Sequence, residues 1–502
     1  MPLAKVNSAA VVGLEAYPVE VEVDISAGLP SFTIVGLPDK AIEESKERVR
    51  SAIRNSGANF PMKRLTVNLA PADIKKEGPA YDLAIALGIL AADGQLPAFS
   101  LDILFVGELA LEGSLRHING ILPVASSLSP KFREIILPEI NRDEATLVKN
   151  LLIRPAKNLK DLIFHFKKEK KLPTYFKKFK ISSPPKFDDD FMHIKGQEQA
   201  KRALEIAAAG GHNCYFTGPP GAGKTLLART MPSILPRMTA EETLEVTKIY
   251  SVAGLLPYDQ PIINLRPFRA PHHTASNIAL VGGGTYPRPG EITLSHRGVL
   301  FLDEFAEFPR SVLEALRQPL EDGKITVSRA QGTLQFPAKF ILVAAQNPCP
   351  CGFLGDPVKA CICTPSQILR YQKRVSGPLL DRIDIHLEVP RVKYEKLTDE
   401  KMAESSAEIR KRVEKARAVQ EKRFNKTNSE MPAKELKKYC QLDEKSKELL
   451  RAAVNQFHLS ARQYTRVLKV SRTIADLGES KNVEISHLAE ALQYRPKEQS
   501  LY

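Results

Sequence analysis

Apolar and polar residues alternate at Val19, Val21, Val23 and Ile25, with Glu20, Glu22 and Asp24 between them, a period of two that predicts a half-buried strand. Leu65, Val67 and Leu69 repeat the pattern around Thr66 and Asn68. Between these runs the period turns helical: Asp39 can cap a helix whose Ile42, Val49 and Ile53 keep one face and which Gly57 ends. Tyr81 to Ala92 predicts a second, apolar helix, and Ile103 to Val106 a further strand. Together they describe an α+β domain. Farther on, GVLFLDE (Gly298 to Glu304) and KFILVAA (Lys339 to Ala345) are apolar without alternation, as expected of strands buried on both faces in a parallel sheet. Ile194 to Ala209 predicts a helix ahead of that sheet. From about Lys396 the text is charged and helical; Leu459, Val467, Leu468, Ile474 and Leu477 can share a buried face, with Ser460 capping and Gly478 stopping the helix. The pattern gives an α/β multidomain chain divided at 1–165, a basic, proline-containing linker at 166–190, a parallel-sheet core at 191–392 and helices at 393–502.

The candidate chemistry gathers in the core. Tyr215 and Phe216 run into Gly218, Pro219, Pro220, Gly221, Ala222, Gly223, Lys224 and Thr225, a complete GxxxxGKT between a short apolar run and a helical one. Glycines let backbone N–H groups close around phosphates, Lys224 reaches the terminal phosphates of ATP, and Thr225 ligates Mg²⁺. Asp303 and Glu304 end the GVLFLDE run, where the first can hold hydrated Mg²⁺ and the second polarise an attacking water. Asn347 follows the next apolar run, where its amide can orient that water.

Charge changes the picture of partners. Lysine and arginine number 72 against 58 acidic residues, a net charge of +14, which favours a polyanionic partner that charge alone does not name. No segment approaches the run of about 20 apolar residues that a bilayer requires, and the N-terminal stretch shows no secretory pattern, so a cytoplasmic protein is expected. Of the six cysteines, Cys349, Cys351, Cys361 and Cys363 form a CxC…CxC cluster. Four thiolates suit tetrahedral zinc, although common structural sites prefer two intervening residues and the thiols can equally stay reduced.

KKEGPAYDLAIALGIL (Lys75 to Leu90) and GELALEGSLRHINGILPV (Gly107 to Val124) resemble the Lon-protease-type domain of Mg-chelatase-like proteins. Where Lon places its nucleophilic serine this chain has Ala80, and the general-base lysine falls near Leu122, so the resemblance implies a protease fold without proteolysis. Ser126 and Ser127 are read as surface residues. GPPGAGKT, VLFLDE, AAQNPCPCG and SGPLLDRID, in that order, resemble the AAA+ core of the Mg-chelatase-like ComM/YifB family. The resemblance covers nearly the whole chain. It implies a hexameric ring ATPase, a helicase driving branch migration of DNA in recombination and natural transformation. It also implies that Arg382 reaches a neighbouring subunit's γ-phosphate and that Arg462 contacts nucleotide from the C-terminal lid, with Arg466 in reserve; ion pairs are the alternative for each. A Mg-chelatase-type ATPase subunit and an ATP-gated assembly switch remain competing readings.

Other stretches are candidates for touching DNA. The run KKEKKLPTYFKKFK (Lys167 to Lys180) suits a solvated tether, or a contact in which lysines meet phosphates and Tyr175 or Phe176 stacks on bases. Arg266, Arg269, Arg288 and Arg297 lie in a long insertion (Arg266 to Gly298) read as a mobile loop facing the ring axis. His272, His273 and His296 there lack a convincing metal-ligand spacing. The hairpin Gly323 to Phe340 offers Lys324 and Arg329 as pore residues, a solvated hairpin being the alternative.

Overall fold

A computed structural model describes residues 3–178, 187–257, 259–284, 287–329, 332–392, 394–397 and 402–496. The chain divides into two units: residues 1–183 with 240–263, and residues 184–239 with 264–502. Residues 240–263 fall inside the stretch expected to form the core, yet they belong with the first unit.

In the first unit β1 (Leu3–Val12), β2 (Glu15–Ser26), β3 (Ser31–Val35), β4 (Arg64–Ala70), β5 (Ile103–Phe105), β6 (Glu134–Pro138) and β7 (Leu152–Ala156) form one mixed sheet, ordered β3-β4-β2-β1-β5-β6-β7. Val21 lies opposite Val6 on one side and Leu69 on the other, so the alternation of three strands lines a single face. That face is covered by α1 (Lys40–Asn55), which Asp39 caps by accepting from the Ile42 N–H at 2.9 Å, and by α2 (Asp82–Ala92). Gly88 permits the close approach: a Cβ there would lie 2.7 Å from Val23 Cγ2. The opposite face carries α3 (Ile121–Leu128), against which the helix Ala240–Ala253 packs. Buried Glu144 ties them, accepting from the Leu122 N–H at 2.8 Å and from the Ser251 hydroxyl; burial raises its pKa above the ordinary carboxylate value.

The expected linker begins later than residue 166. The Tyr175 N–H donates to the Ile153 carbonyl at 2.7 Å, its hydroxyl donates to Asp143 at 2.6 Å, and Arg142 lies over its ring at 4.7 Å. Tyr175 is therefore engaged within the first unit and not presented for base stacking, whereas Phe176 is exposed. Residues 179–186, including Lys180, lie outside the described residues.

In the second unit β8 (Cys214–Thr217), β9 (Phe268–Arg269), β10 (Val299–Leu302), β13 (Ile341–Gln346) and β14 (Ile385–Glu388) make a parallel sheet ordered β9-β10-β13-β8-β14; β11 (Lys324–Arg329) and β12 (Gly332–Pro337) pair as a separate hairpin. Helix α4 (Glu198–Gly210) does not begin at Ile194, because Gly196 and Gln197 adopt positive φ of 64° and 60° and break the run. The C-terminal helices α6 (Ser406–Phe424), α7 (Glu444–Phe457), α8 (Ala461–Leu477) and α9 (Ile485–Gln493) share one hydrophobic core with the sheet: Leu204, Phe216 and Val343 cluster with Val413, Leu468 and Ile474. They group with the sheet in one unit. Polar links add to this core. His212 meets Asp384 at 2.9 Å through Nδ1 and Thr473 of α8 at 2.8 Å through Nε2. Asp476 of α8 accepts from both terminal nitrogens of Arg423, at 2.6 and 3.1 Å, from Arg472 Nε at 3.1 Å and from Asn428 at 2.8 Å. No described helix is long and apolar enough to cross a membrane.

Candidate active site

Strands β10, β13 and β8 are neighbours and parallel, so their C-terminal ends deliver three loops to one edge of the sheet. The loop after β8 is Gly218–Gly223, leading into α5 (Lys224–Thr230). Gly218 lies so near the neighbouring chain that a Cβ would stand 2.1 Å from the Val389 carbonyl oxygen. Gly221 and Gly223 take φ of 76° and 88° and have open space where a side chain would begin. Behind the loop, the Gln197 amide donates to the carbonyls of Ala222 and Pro390 at 3.1 and 2.6 Å. Lys224 Nζ donates to the carbonyls of Gly218 and Pro219 at 2.6 and 3.0 Å and to Asn347 Oδ1 at 3.1 Å. Burial lowers the Lys224 pKa below the ordinary lysine value.

The Thr225 hydroxyl donates to Asp303 Oδ2 at 2.7 Å. Asp303 Oδ1 in turn accepts from the Glu304 N–H at 2.9 Å, with Glu304 itself in the left-handed region at φ 53°. Lys224, Thr225, Asp303 and Asn347, nominated from separate stretches of sequence, thus meet directly. The arrangement fits a nucleotide phosphate. Open space at Gly221 and Gly223 adjoins an ammonium group, and a hydroxyl adjoins a carboxylate in the pairing that Mg²⁺ takes at phosphate loops.

Arg382 and Arg462 gather elsewhere. Arg382 Nη1 donates to the Pro378 carbonyl at 2.5 Å and Nη2 pairs with Glu321, while Arg462 Nη2 lies 3.5 Å from the same Glu321 carboxylate. Arg466 faces Asp384 at 3.4 Å. Glu321 carries no motif and sequence reasoning passed over it. His273 Nδ1 lies 3.0 Å from Glu304 Oε2, a contact that no motif announces. His272 contacts Thr274 at 2.8 Å, and His296 accepts from the Lys339 N–H at 3.0 Å.

The insertion departs from the expected free loop. Arg266 donates to the carbonyls of Pro236 and Arg297 at 2.6 and 2.7 Å, and Arg269 makes two bonds of 2.6 Å to Glu291. Both guanidinium groups are half-buried and are held by acceptors inside the unit. Arg288 is exposed on a short strand and Lys324 lies 3.4 Å from Gln335; the Arg329 side chain lies outside the described residues. In the first unit Ala80 and Leu122 offer no hydroxyl or amine, Ser126 donates to the Pro123 carbonyl at 3.2 Å, and Ser127 accepts from the Ala16 N–H at 3.2 Å. The two serines are half-buried and engaged, not surface residues.

Comparison with known proteins assigns the chain. It is 47% identical over 503 residues to the competence protein ComM of Haemophilus influenzae, covering 99% of this chain and 98% of that protein. The protein YifB of Escherichia coli is 44% identical over 498 residues, with 99% and 97% covered. The chain belongs to the ComM/YifB family of Mg-chelatase-like proteins. Magnesium chelatase subunit ChlI matches residues 190–397, with further ChlI matches at 21–141 and, for its C-terminal region, at 403–495. The 38 kDa magnesium-chelatase subunit of Cereibacter sphaeroides is more distant, at 25% identity over 32% of this chain and 52% of its own length. Among ComM/YifB proteins the likeness thus runs end to end, so both units of this chain belong to what the family shares.

Proposed function

We propose that this chain is an AAA+ ATP hydrolase that assembles as a ring, expected to be hexameric, and uses ATP to move on DNA, as a helicase promoting branch migration in recombination and natural transformation. The observation that carries the ATPase reading is the convergence of Lys224, Thr225, Asp303 and Asn347 at the ends of adjacent parallel strands. The DNA reading draws on the net charge of +14 and on the competence role in the name of the Haemophilus relative. The first unit is read as a Lon-like fold without proteolysis, since Ala80 and Leu122 stand where a nucleophile and a base are needed.

In this mechanism the backbone of Gly218–Gly223 surrounds the β- and γ-phosphates, and Lys224 exchanges its carbonyl partners for phosphate oxygens. Thr225 and Asp303 would hold Mg²⁺, which when bound would supply charge neutralisation. Glu304 accepts the proton of the attacking water, and Asn347 orients that water. Arg382 leaves Glu321 to reach the γ-phosphate bound by a neighbouring subunit, where a planar guanidinium meets the charge that spreads in the transition state. Arg462, on the same carboxylate, approaches nucleotide from the helical side.

The deciding experiment is migration of a four-way DNA junction with ATP. Migration by the wild type and none by Glu304→Gln is expected; ATP hydrolysis and DNA binding without migration would favour an assembly switch. The chelatase alternative, prompted by the partial likeness to the 38 kDa subunit, expects turnover indifferent to DNA. The contact from His273 to Glu304 gives a finer test, because it ties the proposed base to the insertion read as facing DNA. His273→Ala should raise basal turnover and reduce the stimulation by DNA, read as the ratio of the two rates at saturating ATP. An unchanged ratio removes His273 from the coupling.

A further inference from the structure

The loop between β13 and the helix Pro365–Gln372 brings together Cys349, Cys351, Cys361 and Cys363, whose sulfurs all lie within 4.8 Å of one another. Individual separations are 3.4 Å for Cys349 and Cys351, 3.5 Å for Cys351 and Cys361, and 3.6 Å for Cys349 and Cys361. A disulfide requires about 2.05 Å, so these are not bonded pairs. Four thiolates around one Zn²⁺ at about 2.3 Å form a tetrahedron with edges of about 3.8 Å, close to the separations here. An iron–sulfur cluster places several irons and sulfides between its cysteines and needs them farther apart.

The backbone is arranged for thiolates. The Cys351 N–H donates to Cys363 Sγ at 3.4 Å. Amides of Gly352 and Leu354 face Cys349, those of Phe353 and Ile362 face Cys351, and that of Cys363 faces Cys361, so every sulfur receives an N–H. Such outer donors orient metal ligands and spread their charge.

We propose that Cys349, Cys351, Cys361 and Cys363 bind one structural Zn²⁺, and that this centre braces the phosphate loop. The brace runs through Gly352, at φ 84°, where a Cβ would lie 2.6 Å from Pro220 Cδ and 3.8 Å from Asn347 Cγ. Pro220 belongs to the loop that surrounds the phosphates, and Asn347 is the partner of Lys224. Without a cross-link, the segment between the two CxC pairs would have to hold this contact against its own chain entropy. The brace rests on the reading of Gly218–Thr225 as a nucleotide cradle; the metal site does not.

The test begins with metal analysis of the full chain purified without added zinc. About one zinc per chain is expected, falling to near zero in Cys351→Ser combined with Cys363→Ser. Thiol titration of the native wild type should find the four clustered cysteines protected, and a strong zinc chelator should expose them. Cys214 and Cys440 are buried away from the cluster and serve as internal controls. A wild type holding less than about a tenth of a zinc per chain, with its thiols either free or oxidised to disulfides, overturns the site. Binding of a fluorescent ATP analogue before and after chelation tests the brace: about tenfold weaker binding without the metal is expected. Affinity changed by less than about twofold, with zinc demonstrably removed, overturns the brace and leaves the metal site standing.

Discussion

Lys224→Ala should lower ATP turnover by about 10²–10³-fold, the loss typical when one charge-stabilising donor leaves a transition state. Glu304→Gln should lower it at least as far, through another route. Lys224 is held 2.6 and 3.0 Å from carbonyls of its own loop and 3.1 Å from Asn347, so its ammonium is already placed beside the cradle. Removing it takes away both a phosphate contact and the tie between the loop and β13. Glu304 lies at the edge of the site, more than half exposed and in contact with His273. Its amide variant keeps the shape and loses only the capacity to take a proton. The pair therefore divides binding from chemistry: affinity for an ATP analogue should fall in Lys224→Ala and persist in Glu304→Gln. Steady-state phosphate release and equilibrium binding, measured on both variants, check this. Turnover within tenfold of the wild type in Lys224→Ala would remove Gly218–Thr225 from the active site.

Asp476→Ala should cost about 3–5 kcal/mol of stability, the loss expected when a buried ionic partner is removed and its charges remain. The carboxylate is about 1% exposed and is shared by Arg472, about 2% exposed, and Arg423, about 14% exposed. Arg472 retains the carbonyls of Ser480 and Lys481, at 2.6 and 3.0 Å, whereas Arg423 loses its two-pronged contact. Thermal unfolding followed by circular dichroism should show a large fall in Tm. Asp476→Asn, which keeps an acceptor oxygen, should lose less. Equal losses in the two variants would assign the whole effect to the charge, which both remove; a loss below about 1 kcal/mol in Asp476→Ala would show that the buried ion pairs do not hold these helices.

Much of this site could be read before any coordinates because phosphate chemistry restricts residue choice locally. The GxxxxGKT loop, the acids after an apolar run and the amide after the next run each follow a strand, and a parallel sheet brings strand ends together. What sequence could not supply was pairing over long separations between residues without a motif. Glu321 collects Arg382 and Arg462 from far along the chain, and nothing in its own neighbourhood marks it. His273 has no metal-ligand spacing and no motif around it; its contact with Glu304 depends on how the insertion folds back. Arg266 and Arg269 looked available because arginine is usually exposed, while their acceptors are backbone carbonyls and Glu291, which no periodicity reveals. In the first unit the alternation of Val19 to Ile25 specified strand and face together, since a register slip of one residue would have turned every valine outward.

The helix Ala240–Ala253 has a consequence for how the protein is made. Its Val246 and Ile249 are fully buried, and it contributes Ser251 to the buried Glu144. A nascent chain that has emerged only as far as residue 183 lacks this piece, so the first unit is complete only when residue 263 has emerged from the ribosome. By then the whole of Gly218–Thr225 has already left the ribosome. Cutting the gene after residue 183 would leave one product short of a helix and the other carrying an orphaned apolar segment. A split at that point is a poor route to either half.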